Sequence, residues 1–329
     1  MGRMPRPRPL CVAGRLSMRS RLTTIVLIVF VILGVLVASY PFASSLVNQR
    51  YAGEMISSYD DAVESMEEEE RTAAFDAARS YNEALRASGV VMTDPFDPTA
   101  QKVASQDYED VLNVNGHGFM AHIDIPAINV RLPIFHGVSD EVLSQFVGHL
   151  QGTSLPVGGE STHCVLSAHT GIPTATLFTD LNKLEVGDLF KLQVLDNELW
   201  YRVSEIEVVL PSEVSSLKIE SGRDLCTLVT CTPYGVNSHR LLVHGERTEP
   251  PTSNIETGSA SFDWRLPLFA GAVLIALVAT VRFAISLARR RTREERLHIR
   301  RSRLAQRALG PSSSERDGAP PFERNGDAR

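Results

Sequence analysis

A chain of 329 residues with 43% apolar composition is long enough for one globular domain of ordinary size plus additional segments. Its formal net charge of −6 is unevenly spread: residues 1–50 hold seven arginines and no acid, whereas residues 51–264 hold 33 acidic and 12 basic side chains, a net −21. So acidic a middle excludes nucleic acid as a partner, because phosphate binding needs clustered Lys and Arg.

Residues 1–21 read as a basic cytoplasmic leader and 22–43 as a transmembrane anchor. The stretch from Thr23 to Phe42 carries no charge, and about 20 apolar residues span the hydrocarbon core as a helix. Val37-Ala38-Ser39 is a poor cleavage site, so an uncleaved anchor is favoured over a cleaved signal peptide. Residues 44–88 form a helical region: they lack Pro, and Met66, Ala73, Phe75, Ala77, Ala78, Tyr81 and Leu85 recur at helical spacing. Glu67–Glu70 read as a solvated face of it. Residues 89–117 are a loop and connector punctuated by Asp94-Pro95-Phe96-Asp97-Pro98.

Residues 118–250 change character. Short β-like runs at 119–126, 130–135, 163–169, 189–195, 199–210, 226–233 and 239–248 are separated by Gly, Pro, Asn and Asp, the pattern of a barrel or sandwich. Residues 177–184 suit a short helix between two strands. A linker at 251–265 leads to a second transmembrane helix at 266–288, apolar from Leu266 to Val281 and extended if Arg282 snorkels. Residues 289–329 are a basic tail, disordered from Gly310 on composition. The arginine-rich flanks at 3–21 and 289–307 place both termini in the cytoplasm and the middle outside, a two-pass cell-membrane protein in contact with the lipid bilayer. The tail's charge is explained by this apolar neighbour better than by a nucleic-acid arm.

The segment Thr227–Arg240, TLVTCTPYGVNSHR, is the most informative. An apolar strand ends at Cys231, a turn follows, and a second strand begins near His239. A thiol at a strand end is exposed enough to attack, and a hairpin of this length could return Arg240 beside it. A cation there lowers a thiol pKa and stabilises an oxyanion. From spacing alone, a structural thiol with a surface arginine fits equally well. The segment HCVLSAHTG similarly ends a strand at His169, and cysteine chemistry needs a histidine to protonate a leaving amine. Cys164 and Cys226 each lie five residues before one of these positions. If their strands are adjacent and parallel, the two thiols stand level, as core thiols or as a disulfide, with core thiols favoured.

These segments together resemble the sortase family of cysteine transpeptidases. Cys231 sits in TLVTCTPYGVNSHRLLVHGER, similar to the family's cysteine and arginine signature; HCVLSAHTGIPTATLFTDLNKL resembles its histidine region, and INVRLPIFHGVSDEVLSQFVGHLQGTSLPVGGESTH the region before it. The wording is closest to class C, the pilin-polymerising sortases, as are the second span and the Asp94-Pro95-Phe96 loop. The resemblance covers residues 90–248, about half the chain. Ala168, where relatives often carry Gly, and His244, where Arg is common, depart from the pattern.

The resemblance implies a mainly β fold, an eight-stranded barrel with an N-terminal helical region between two transmembrane helices. It implies that Cys231 attacks a Leu-Pro-X-Thr-Gly-like sorting signal between Thr and Gly, that His169 is general acid and base, and that Arg240 stabilises the oxyanion. An amine, in class C a pilin lysine, then resolves the thioester. Asp94 and Phe96 would close a lid, the aspartate on Arg240 and the ring over Cys231. An exposed pair of that kind would be weak, so the lid should open at modest cost. Thr230, Tyr234 and Asn237 are candidate substrate contacts, with strand propensity or turn shape as alternative roles. His136, His163 and His239 read as structural. No acidic cluster demands calcium, so neither metal nor cofactor is expected. The partners would be pilin or surface-protein substrates with a C-terminal sorting signal. A membrane-tethered cysteine protease and a non-enzymatic surface-interaction protein are the alternatives.

Overall fold

The computed structural model describes residues 13–88, 94–97, 106–114, 116–252 and 265–308. The leader before Ala13, most of the 251–265 linker, the tail from residue 309, and parts of the 89–117 connector therefore lie outside the described residues. The described helices are α1 (Ala13–Ser65), α2 (Glu68–Ser88), α3 (Gln106–Asp110), α4 (Asp140–Leu143) and α5 (Arg265–Ala308). The chain divides into two units, Ala38–Asp263 and the flanking Met1–Val37 with Trp264–Arg329. The described part of the flanking unit is helical. From Ile28, α1 contains a stretch of mean hydropathy 2.0, and it is the one helix among the described residues long and apolar enough to cross a membrane. In α5 the apolar run is Gly271–Phe283, shorter than a span.

Eight strands in the central unit form a closed barrel: β1 (Phe119–Ile125), β2 (Val130–His136), β3 (Val147–His149), β4 (Thr162–Ser167), β5 (Leu189–Val194), β6 (Asn197–Val209), β7 (Asp224–Thr232) and β8 (His239–Thr248), in the order β1-β2-β3-β4-β7-β8-β6-β5. All seven expected runs are strands. The eighth, β3, has three residues, too few for alternation to show. Between β4 and β5 the expected short helix is a single 3-10 turn, Leu181–Lys183. Side chains alternate across each strand. One set, including Ile123, Ile134, Leu166, Phe190, Leu192, Leu228 and Val243, fills the interior. Gly245 on β8 is there for space: a Cβ would stand 2.5 Å from the Phe190 ring.

The N-terminal helices are fixed to the barrel by buried polar anchors as well as by apolar packing. Ile56, Tyr59 and Val63 of α1 join the main core. The Tyr59 hydroxyl donates to Met120 O and accepts from Leu195 N–H. Asn82 of α2 closes a two-way bond with the Leu155 backbone. The helical region over 44–88 is two helices that part at Met66–Glu67. There the Glu70 carboxylate accepts from Glu67 N–H, and Glu68, Glu69 and Glu70 form the first turn of α2, where acids suit the helix dipole. Glu67–Glu70 are exposed, as expected of a solvated face.

Strands β4 and β7 are adjacent and parallel, and Cys164 pairs in register with Cys226. Both are buried free thiols in the interior.

Candidate active site

On β7 and β8, Cys226, Leu228, Leu241 and Val243 point inward, whereas Val229 and Leu242 belong to a second apolar cluster on the outside with Leu150, Val165 and Leu217. Cys231 and Arg240 lie two residues beyond Val229 and Leu242, so they leave the sheet from this outer face. They are cross-strand partners in the antiparallel β7–β8 register, which sets their Cβ atoms about 5 Å apart. His169 follows β4. Ser167 pairs with Val229, Ala168 N–H donates to Val229 O, and the Thr230 hydroxyl donates to Ala168 O at 2.7 Å. Continuing that register brings His169 level with Cys231, so three strands deliver thiol, imidazole and guanidinium to one rim.

Residues Asp94–Asp97 cross this rim. Asp94 accepts two bonds from Arg240, from Nε at 2.9 Å and from Nη2 at 2.6 Å. Phe96 N–H donates to Asp94 Oδ1 at 3.3 Å and Asp97 N–H to Asp94 O, a tight turn around Pro95. The Phe96 ring lies 5.4 Å from the His169 ring and 5.0 Å from the Arg240 guanidinium carbon, centre to centre. The ring thus lies against both groups that flank the thiol, and Cys231 is only 8% exposed. The expected weak surface pair needs correction: the Asp94 and Arg240 side chains are each 11% exposed, because Phe96 shields them.

Burial pushes the Cys231 thiol up from its ordinary value; Arg240 opposes this and Asp94 adds to it. Burial pushes His169 down, with Arg240 in the same sense and Asp140 against. With the rim covered, the proton therefore rests on sulfur and the imidazole is neutral. Asp140 was not singled out in the sequence. It opens α4 after the Ser139 cap, and no spacing rule connects it to His169.

Tyr234 and Asn237 lie in the β7–β8 turn. The exposed Tyr234 ring lies against Gly171, where a Cβ would stand 2.9 Å away, so the turn sits beside the loop after His169. Asn237 adopts a left-handed conformation, and its carbonyl accepts from Arg240 Nη1 at 3.3 Å. Thr230 differs from the expectation: it faces inward, is 2% exposed and uses its hydroxyl to hold the strand end before His169. His136 bonds Gly118 O and Val111 O, which fits the structural role expected of it.

The sortase domain family matches residues 123–248. The structure of sortase C1 from Streptococcus agalactiae is 42% identical, with a TM-score of 0.56, over 60% of this chain and 100% of that one. The chain belongs to the sortase family. A pilus-related sortase C of Group B Streptococcus is similar to this sortase at 41% identity and a TM-score of 0.54, over 58% of this chain and 95% of that one. Sortase D of Bacillus subtilis (strain 168) is 29% identical over 128 residues, which are 38% of this sortase and 62% of that protein. The match thus spans less than two thirds of that curated relative's length.

Proposed function

We propose that this protein is a membrane-anchored cysteine transpeptidase that cleaves a Leu-Pro-X-Thr-Gly-like sorting signal between Thr and Gly and joins the acyl group to an amine, a pilin lysine. The observation that carries this is the convergence of Cys231, His169 and Arg240 on one rim under a cover held by Asp94. Likeness to a pilus-related sortase C supports the choice of amine. The Cys231 sulfur, giving its proton to His169, attacks the Thr carbonyl carbon. The oxyanion forms beside Arg240, whose charge favours it. The C–N bond then breaks, and His169 returns the proton to the departing glycine nitrogen, leaving a thioester. A lysine amine attacks that thioester, His169 accepts the amine proton and passes it to the sulfur as the C–S bond breaks, and the thiol is restored. Mass spectrometry of products from a sorting-signal peptide with a lysine-bearing acceptor tests the proposal: an isopeptide product is expected, and free acid alone would make the protein a hydrolase.

Asp94–Asp97 act as a lid in this reading. Opening it forfeits two charge-assisted bonds, about 1.5–3 kcal/mol each net of the water the ions regain. Asp94→Ala with Phe96→Ala is therefore expected to raise the rate at which a small alkylating reagent modifies Cys231. The sign for pH follows from the causes: losing Asp94 and burial both remove upward pressure on the thiol, so the midpoint of the alkylation–pH curve moves down. An unchanged rate and midpoint would show that the segment is not a lid.

The proposed setting is the cell membrane, crossed by α1 and again by the 266–288 segment, with the barrel outside. Basic flanks at both ends support it. Protease added to intact protoplasts is expected to digest the barrel and spare tags at both termini. A carboxy-terminal tag cleaved from outside would remove the second span.

A further inference from the structure

The face that α1 turns to the barrel changes character along its length. Ala52, Ile56, Tyr59 and Val63, at helical spacing, are buried. One and two turns earlier the same face carries Asn48 and Ser45 instead, soon after Phe42 ends the uncharged stretch. Asn48 Nδ2 donates to Thr174 O at 2.8 Å, and Ser45 Oγ lies 3.3 Å from Thr176 Oγ1. Both partners belong to the loop that follows His169.

That loop is drawn closed at its base. Phe178 N–H donates to His169 O at 3.2 Å, and Gly171 N–H to Thr179 Oγ1 at 3.1 Å. Since β4 ends at Ser167, the His169 carbonyl is held by the loop and not by a strand. On one flank Gly171 lies against the Tyr234 ring. On the other, α1 meets the crown of the loop, residues 174–176. A cavity of about 260 Å³ lies beside the Asn48 and Ser45 contacts, bordered by Gly53, Ala175 and Leu177 among others. Close packing against α1 is incomplete here, so the two polar contacts join helix to crown.

We propose that Asn48, helped by Ser45, is a positioning residue: by fixing the crown of this loop against α1 it keeps His169 within proton-transfer reach of Cys231. It acts through the loop and not on the reacting atoms. Such a group matters because a displacement of about 1 Å can slow a reaction by up to about 10²-fold. The inference rests on the transpeptidase reading for the reaction it serves, but not for the ordering of the loop.

Asn48→Leu keeps the size of the side chain and its neutrality while deleting the donor. Expected with the full chain are a roughly tenfold fall in kcat for a Leu-Pro-Ala-Thr-Gly peptide with KM within about twofold, and faster amide hydrogen exchange over 170–178. The His169 imidazole, observed by NMR, should titrate at higher pH, because burial is the main cause that pushes it down and a loosened loop admits water. Tyr59→Phe supplies the contrast. It removes the hydroxyl that holds Met120 O and Leu195 N–H from the same helix, away from this loop, so Tm should fall while kcat and the His169 midpoint stay in place. Unchanged kcat and midpoint in Asn48→Leu would overturn the proposal. An equal fall of kcat in Tyr59→Phe would also overturn it, by making the effect one of general stability. If Asn48→Leu does not fold, Ser45→Ala must lower kcat and raise the midpoint in the same sense, and no change there is equally fatal. Should the wild-type protein not turn over the peptide while exchange and the midpoint still respond to Asn48→Leu, the transpeptidase reading fails and the positioning stands.

Discussion

Cys231→Ala is expected to abolish thioester formation completely while leaving the barrel intact. Among the described residues the sulfur is the nucleophile that the rim offers beside Arg240 and level with His169, and an alanine methyl cannot form the acyl bond. Structurally the loss is small. Cys231 lies on the outer face beneath Phe96, not in the interior with Cys164 and Cys226, so truncation removes one sulfur from a covered edge. A stability change of about 1 kcal/mol, a few degrees in Tm, is the expected scale. Intact-mass spectrometry after incubation with a sorting-signal peptide should show the acyl adduct on the wild type and none on the variant. Wild-type turnover by Cys231→Ala would end the assignment.

Arg240→Ala should separate reactivity from access, because this guanidinium does two jobs. As the group beside the developing oxyanion, its loss should lower kcat/KM by about 10²–10³. As the partner of Asp94, its loss leaves a sheltered carboxylate without its two donors, which drives the lid segment off the rim. Alkylation of Cys231 by a small reagent, compared at the plateau of each protein's alkylation–pH curve so that the thiolate fraction does not differ, should therefore rise as turnover falls. Arg240→Lys keeps the charge but not the fork and should recover only part of the turnover. His169→Ala gives the contrast: turnover falls by about 10²–10⁴ with the lid pair untouched and alkylation little changed. Parallel loss of turnover and alkylation in Arg240→Ala would mean that Asp94 does not depend on it.

Much of this architecture was legible in the sequence because it rests on local patterns. Seven strands were visible as alternating runs, and the level placement of Cys164 and Cys226 followed from their equal spacing before His169 and Cys231. The inward direction of Thr230 was also available, since a residue next to Cys231 on a strand must face the other way. Other features were not legible. A three-residue strand such as Val147–His149 has no period, and it exists because β2 and β4 leave a place between them. The shelter of the Asp94–Arg240 pair depends on a ring 144 positions from Arg240 in sequence, at Phe96, and burial of that kind is set by tertiary packing. The bond from Asn48 to Thr174 joins positions 126 apart in sequence, with no motif to announce it.

The route from β4 to β7 bears on when the protein becomes reactive. Cys231 and Arg240 belong to one hairpin and can meet early and locally, whereas the bond that brings the histidine strand to them, Thr230 to Ala168, closes a gap of 62 residues. Loop-closure entropy makes such a non-local parallel pairing late in folding. A chain emerging unfolded through a membrane would thus carry an ordinary cysteine, without its imidazole partner, until the barrel closed. The cover by Phe96 is more remote still, since Asp94 and Arg240 are 146 residues apart. The order of closure, hairpin first and histidine later, delays cysteine chemistry until most of the domain has folded.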